Sequence, residues 1–498
     1  MLCFLFEFPA GRYHATPWGH HVNEGLVEWP PSPWRIVRAL LATGYTKLGW
    51  KEVPSEMRTL VETLSATLPT YRLPQATLGH TRHYVPIKGW KRGVQKTSLV
   101  IDAFVRPHGA VGVLWPGETS SDQRELVARL LDRLGYLGRA ESRVRARLVA
   151  AEVLPAVWHV STDRGSPDDE PIRLLAPIPA GDYEAWRREV SGAPEDLLGA
   201  LQIETTMLQQ GGWSAPPGSR EVVYWRPASA VSPGLSGTAA AVGEIPAADT
   251  ALFALATDKK RDVLPLMERA LPTMALFRRA LLSKLDEGSC PELSGKDDQE
   301  RPLQNKHRHA HFIPLSIDQR HTGRIDHVLV HAPMGFGRAA QRALRSLRKT
   351  WAKGVDDLAV TLVGMGGLSA FRTLAGVPLP ELGRSATWES RTPFIPPRFL
   401  KPRGKDSLEG QVRAELRHRD LADLAVAPVI APPTDQGEAG LQARWFRHFV
   451  RTRQSSHAPD APPGLFRLTL TFERPIDGPL CLGWGCHFGL GLLVARER

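Results

Sequence analysis

Apolar residues alternate with others at the start of the chain. In MLCFLFEFPAG, Leu2, Phe4, Phe6 and Phe8 fall at every second position, which predicts a half-buried first strand. Ser32 then stands where an N-cap belongs, with Pro33 at the first helical position and Val37, Leu40 and Leu41 on an inward face. Leu126, Leu130 and Leu134 recur at helical spacing, with Arg124, Arg129 and Arg133 mostly elsewhere. Ala340, Leu344, Leu347 and Trp351 do the same, with Arg342, Arg345, Arg348 and Lys349 on the opposite face. Apolar runs at 99–107 (LVIDAFVRP), 323–333 (GRIDHVLVHAP) and 357–364 (DLAVTLVG) read as strands, and 465–473 (LFRLTLTFE) alternates as a half-buried strand does.

These elements group into two halves. The tract ASAVSPGLSGTAAAVGEIPAA, at 228–248, is small, flexible and nearly uncharged, as linkers are, and it separates 1–240 from 241–498. The halves echo each other. HTRHYVP (80–86), with His80 and His83, resembles HAHFIP (309–314), and each is followed by an apolar strand with an Ile-Asp pair near its start, then a helical pattern. Strand, helix, strand in each half predicts a duplicated α+β fold. The proline-broken basic segment 385–405, SATWESRTPFIPPRFLKPRGK, is not expected as a regular helix or a central strand. It reads as a solvated loop or as one that grips phosphate through Lys401, Arg403 and Lys405.

Composition narrows the partner. The 498 residues hold 63 Lys and Arg against 52 Asp and Glu, a formal charge of +11. That balance favours a polyanion, nucleic acid or an anionic membrane surface. Four cysteines form no CxxC pair, as in a reducing cytoplasm. No apolar run reaches the ~20 residues of a membrane span. The opening run lacks a basic lead and is interrupted by Glu7, so a soluble cytoplasmic protein without membrane partners is expected.

Candidate chemistry lies in two places. LGWGCHFGLGLLVA sets Gly483, Gly485, Gly489 and Gly491 between strand-like runs, where successive backbone N–H groups are able to face one anion. A dinucleotide loop is excluded, because no helix follows. The second place is NKHRHAHFIP, with His307, His309 and His311 at alternate positions and Lys306 and Arg308 between them. If extended, it puts three imidazoles on one face. It reads as a metal cage, an acid–base device, or a polar strand that stacks on or hydrogen-bonds RNA. No cysteine lies nearby in sequence, and no metal or other cofactor is expected.

The segments RYHATPWGHHVNEGLVEWPPSPWRIVRALLA (12–42), YLGRAES (136–142), SGKD (294–297), HRHAHFIP, GRIDHVLVHAP and the terminal glycine loop together carry a resemblance. The chain resembles the CRISPR-associated fusion of the Cas-five and Cas-six proteins of type I-G systems (formerly I-U), within the repeat-associated RNA-binding superfamily. The resemblance implies tandem ferredoxin-like folds. The first half would hold the 5′ handle of a CRISPR RNA. The second would cut the precursor within each repeat, without metal, by attack of a ribose 2′-OH. It also implies a place in an effector complex with backbone subunits and a large subunit, meeting target DNA only through that complex.

Within that expectation, His309 and His311 are the preferred acid–base pair, since an imidazole titrates near neutrality. Lys306 and Arg308 would stabilise phosphorane charge, and His327 and His331 share a face of the following strand. His487 is a reserve candidate. RNA contacts are expected from the four loop glycines, Arg324, the basic segment, and Arg12, Tyr13 and His14, where arginine and aromatics combine as in single-stranded RNA recognition. The alternatives are an RNA-binding subunit that does not cut and a metal-dependent hydrolase.

Overall fold

In the computed structural model β1 (Leu2–Glu7) buries Leu2, Phe4 and Phe6 on one face, continued by Phe8, as the alternation predicts; Cys3 and Leu5 pack on the other. The structure describes all residues except 21–24, 92–93, 155–157, 233–246, 258–262, 286–289, 318–322, 353–354, 375–376, 422–424, 432–445, 453–463 and 497–498. Most of the expected linker therefore lies outside the described residues. The fold is mixed α+β, in two compact units: Met1–Thr81 with Asp102–Ser232, and Arg82–Ile101 with Pro246–Arg498. Among the described residues no helix is long and apolar enough to cross a membrane.

In the first unit α1 (Pro33–Lys47) starts where expected. Ser32 Oγ accepts from Arg35 N at 3.3 Å, and Val37, Leu40 and Leu41 are buried. There follow α2 (Ser55–Ala66), β2 (Thr70–Leu73), the long strands β3 (Ala76–Lys91) and β4 (Val94–Pro107), of which residues 82–101 count with the second unit, then β5 (Val111–Trp115), α3 (Ser121–Arg133), β6 (Arg145–Leu148) and β7 (Trp158–Val160). The main sheet has the order β6-β1-β5-β2-β7, every neighbour antiparallel. Helix α3 buries Val127, Leu130 and Leu131, so its stripe is turned by one residue from the Leu126–Leu130–Leu134 line. Beyond it, β8 (Asp169–Pro177) and β9 (Ser219–Pro227) form a ribbon around α4 (Ala180–Glu189), α5 (Leu197–Gln202) and α6 (Thr205–Gln210). The short β10 (Val231–Ser232) runs parallel to the start of β3.

The second unit contains two further five-stranded sheets. One is built from β11 (Thr250–Thr257), α7 (Ala270–Leu282), α8 (Pro291–Ser294), β12 (His311–Leu315), β13 (His327–His331), α9 (Arg338–Ser346), β14 (Lys349–Ala352) and β15 (Val355–Gly366). Its order is β12-β13-β11-β15-β14, antiparallel throughout. Helix α9 buries Ala340, Ala343 and Leu344 and ends at Ser346, so Trp351 falls on β14 and is 64% exposed.

A small hairpin of β16 (Thr373–Leu374) and β17 (Val377–Pro378) leads to the other sheet. That sheet comprises β18 (Arg384–Ser390), α10 (Leu408–Arg417), β19 (Ala425–Ala431), β20 (Arg467–Asp477), β21 (Leu480–Cys481) and β22 (Leu492–Ala495), in the antiparallel order β19-β20-β18-β22-β21. Here the sequence reading needs correction. Residues 385–390 of the basic segment lie in β18, the middle strand; only the proline-rich part beyond Ser390 is irregular. Strand β20 alternates as predicted, with Leu468, Leu470 and Phe472 buried.

The three large sheets share one connectivity. If the strands β1, β2, β5, β6 are counted one to four, and likewise β11, β12, β13, β15 and β18, β19, β20, β22, the spatial order is each time four-one-three-two. Helices follow strands one and three in the first two. In the last, α10 follows strand one, but a glycine-rich loop with a 3₁₀ turn at Cys486–Phe488 stands where the second helix would be. The proposed echo of 99–107 with 323–333 is thus displaced: β4 lies in another sheet, and the strand that answers β13 is β5.

Candidate active site in the second unit

Residues 305–310 form a turn, and β12 begins only at His311, opposite His331. Lys306 and His307 have φ of 55° and 60°, the left-handed region that side chains rarely adopt. The Ala310 amide donates to Glu292 O at 2.7 Å, which draws the chain away from the sheet. The three histidines therefore do not share a strand face. They meet all the same, around a residue from the far end of the sequence.

That residue is His487. Its ring is stacked at 4.0 Å on His309 (8° between planes) and at 4.0 Å on His311 (26°). Its Nδ1 lies 3.1 Å from Ala310 O, and its Nε2 lies 2.9 Å from His307 Nδ1. A carbonyl only accepts, so His487 Nδ1 carries the proton and its Nε2 is the acceptor. His307 must then donate from Nδ1, which leaves its Nε2 as a bare lone pair. No described residue bonds that nitrogen. His311 is differently placed: Nε2 is 2.9 Å from His307 O and Nδ1 is 3.4 Å from Cys486 O, so both of its nitrogens face backbone carbonyls. His309 Nδ1 lies 3.4 Å from Asn305 Oδ1, and its ring lies over Gly295, where a Cβ would sit 2.6 Å from His309 Cδ2.

The glycine loop holds His487 in place. Gly483, Gly485, Gly489 and Gly491 all have positive φ, but the room their missing side chains leave is filled by protein. A Cβ on Gly489 would come 2.3 Å from Pro314, and one on Gly491 would come 1.8 Å from Leu482 O. The loop amides are also engaged: Gly483 N donates to Glu415 Oε2 at 2.8 Å, Trp484 N to Ile395 O, and Gly491 N to Pro393 O. The amides of Gly483 and Gly491 are thus turned to protein acceptors and not to an anion. The four glycines allow a buried loop to pack against β12 and the segment after β18.

A cleft of about 680 Å³ opens beside the cluster, lined by Lys306, His307, Arg308, His311, His331, His418 and Arg419, with Asp420 and Asp477 at its margin. His418 caps the C-terminus of α10 and stands edge-on to His307 with ring centres 6.1 Å apart. Lys306 Nζ pairs with Asp420 at 2.9 Å, whereas the Arg308 side chain is exposed, with Nη2 3.4 Å from Pro333 O. Arg419 is held by Glu415 Oε2 at 3.1 Å and points Nη2 at Cys486 Sγ, 3.6 Å away. Burial favours the neutral form of His307, His309 and His311. It lowers His309 to about 4, helped by His307, and His311 to about 3, helped by Arg419; His307 is lowered by burial and then Arg419.

The remaining expected residues are scattered. His327 faces Leu315 in the strand register, ~13 Å along β13 from His331 at ~3.3 Å per residue, and is buried against Asp326 Oδ1 at 2.8 Å. It does not join the cluster, whereas His331 lines the cleft. Arg324 donates to Leu264 O at 2.6 Å. Lys401, Arg403 and Lys405 lie exposed after β18 beside Phe399, which is 78% exposed.

In the first unit Arg12 lies over the Phe104 ring at 5.4 Å. Tyr13 is wholly buried against Phe8 and Trp29, so it is closed to base stacking. His14, also buried, bonds Glu141 Oε1 through Nδ1 at 2.8 Å. Tyr13, His14 and Ala15 are buried in succession, so this segment faces the core on both sides.

Sequence reasoning missed Cys486, His418 and Arg419, which reach the cluster only through the fold. No family model matches this chain, and no curated protein matches it at a significant level.

Proposed function

We propose that the second unit is an endoribonuclease that cuts CRISPR precursor RNA, with His307 as its general base. The observation that carries this reading is the hydrogen-bond relay Ala310 O–His487–His307, which leaves His307 Nε2 as an unprotonated acceptor at a cleft rimmed by Lys306, Arg308, Arg419 and His418. In the reaction, Nε2 takes the proton of a ribose 2′-OH and the oxygen attacks the adjacent phosphorus. The P–O5′ bond breaks, giving a 2′,3′-cyclic phosphate and a 5′-OH. His418, across the cleft, returns a proton to the leaving oxygen, and Arg308 stabilises the crowded phosphorane. His309 and His311, the pair favoured by sequence, hold His487 in its plane instead.

The recurring four-one-three-two strand order supports a ferredoxin-like reading of each sheet, since that order belongs to the β-α-β-β-α-β motif. The sequence resemblance supports the wider role: a maturation subunit that retains CRISPR RNA beside backbone and large subunits of an effector complex. The test is incubation of the pure protein with repeat RNA in EDTA. Cleavage leaving cyclic phosphate ends supports the reading. Tight binding with intact RNA would replace it with a purely structural RNA-binding role, and cleavage only after metal addition with a metallohydrolase.

A further inference from the structure

We propose that His307 Nδ1, His487 Nε2 and Cys486 Sγ form a binding site for a borderline divalent cation of the zinc type, with solvent completing its coordination. Its three donor atoms lie within 4.8 Å of one another. They come from two loops brought together by the fold, so the absence of a cysteine near the histidine motif in sequence loses its force.

The surroundings are those of a ligand set. A metal-bound imidazole characteristically gives its other N–H to a carbonyl or carboxylate. His487 gives Nδ1–H to Ala310 O at 3.1 Å. A coordinating sulfur is a thiolate and benefits from a nearby cation, and Arg419 Nη2 lies 3.6 Å from Cys486 Sγ. The charge of Arg419 is balanced by Glu415 Oε2 at 3.1 Å, which limits its repulsion of a metal. Two nitrogens and a sulfur suit zinc or cobalt; magnesium and calcium take oxygen ligands. Gly485 and Gly489, both in the left-handed region, flank the 3₁₀ turn that presents Cys486 and His487 together.

Binding balances simply. The thiol of Cys486 loses its proton to solvent. His307, now ligated through Nδ1, carries its single proton on Nε2. The nitrogen that serves as base in the proposed cleavage is thereby blocked, so the cation and the base function exclude each other. Only this last step rests on the proposed nuclease activity.

The test is to strip the full-length protein with EDTA, remove the chelator, and titrate it with cobalt(II), then zinc. One equivalent of cobalt should give a thiolate-to-cobalt charge-transfer band and the intense visible bands of a tetrahedral site, and zinc should displace both. Cys486→Ser should abolish the charge-transfer band and weaken zinc binding by on the order of 10²-fold, while Cys290→Ser, a buried cysteine elsewhere, should change neither. A wild-type titration without the band overturns the site, and so does a Cys486→Ser protein that keeps it. Zinc loading should stop repeat cleavage. If zinc-loaded protein cuts as fast as stripped protein, the exclusion fails. If the stripped protein never cuts, the nuclease reading falls and the band still decides the metal site.

Discussion

His307 Nδ1 lies 2.9 Å from His487 Nε2, a bond between residues 180 positions apart. It fixes one tautomer of His307 and so determines which nitrogen meets the cleft. The stacked rings of His309 and His311 keep His487 from turning. On the proposed mechanism, histidine beside histidine is a division of labour, in which one ring acts as base and three hold it.

His307→Ala should slow repeat cleavage by roughly 10²–10⁴-fold with RNA affinity little changed, because only the base is removed. His327→Ala, which touches a strand remote from the cleft, should leave the cleavage rate within about threefold once the folded fraction is matched. Single-turnover rates and filter binding on the two variants check this. Equal rates for His307→Ala and wild type would remove His307 from the reaction.

Gly491→Ala should damage the fold. At φ +61° its Cβ would meet Leu482 O, and backbone cannot step aside, so a loss of roughly 1–3 kcal/mol or more is expected. Thermal unfolding of the variant should show the loss, and the fraction that remains folded should bind RNA normally. Normal stability with weakened RNA binding would restore the phosphate-cradle reading.

The exposed segment after β18 offers Phe399 for stacking and Arg403 for phosphate. Phe399→Ala should cost about 1–3 kcal/mol of single-stranded RNA affinity. Arg403→Ala should weaken binding alike for all sequences and reduce the salt slope by about 1. Titrations at several salt concentrations measure both, and an unchanged slope for Arg403→Ala would place the backbone contact elsewhere.

His14 makes the first unit sensitive to acid. Burial, then Arg139, lowers its pKa, against the opposing pull of Glu141 and Asp102. The folded chain therefore keeps His14 neutral while the unfolded chain takes up a proton near about 6.5. Its contribution is fully present above that value and is lost as pH falls toward the lower folded pKa. Glu141, whose pKa is also lowered, adds a loss at more acidic pH. The unfolding midpoint should drop between about pH 7 and about pH 5, and less so in His14→Gln. Identical slopes would exclude His14 as a source.

What was legible in sequence depended on the range of the forces involved. The Ser32 cap, the Leu2–Phe8 alternation and the β20 alternation are local, and each appears where its pattern puts it. Residues 305–311 have the period of a strand, yet left-handed backbone at Lys306 and His307 and the Ala310–Glu292 bond make a turn. Nothing local encodes that bond. Prolines at 393, 396 and 397 suggested a loop from 385 onward, although a strand is free to run until just before them. The approach of Cys486, His418 and Arg419 is tertiary, and no spacing rule reaches so far.

The glycine loop where a second helix would stand in the last sheet has a bearing on synthesis. Position 487 leaves the ribosome long after position 307, and a nascent chain lacks the ring that orients the base. On the proposed mechanism such a chain is inert toward the transcripts around it, and cutting begins only after closure of the last sheet.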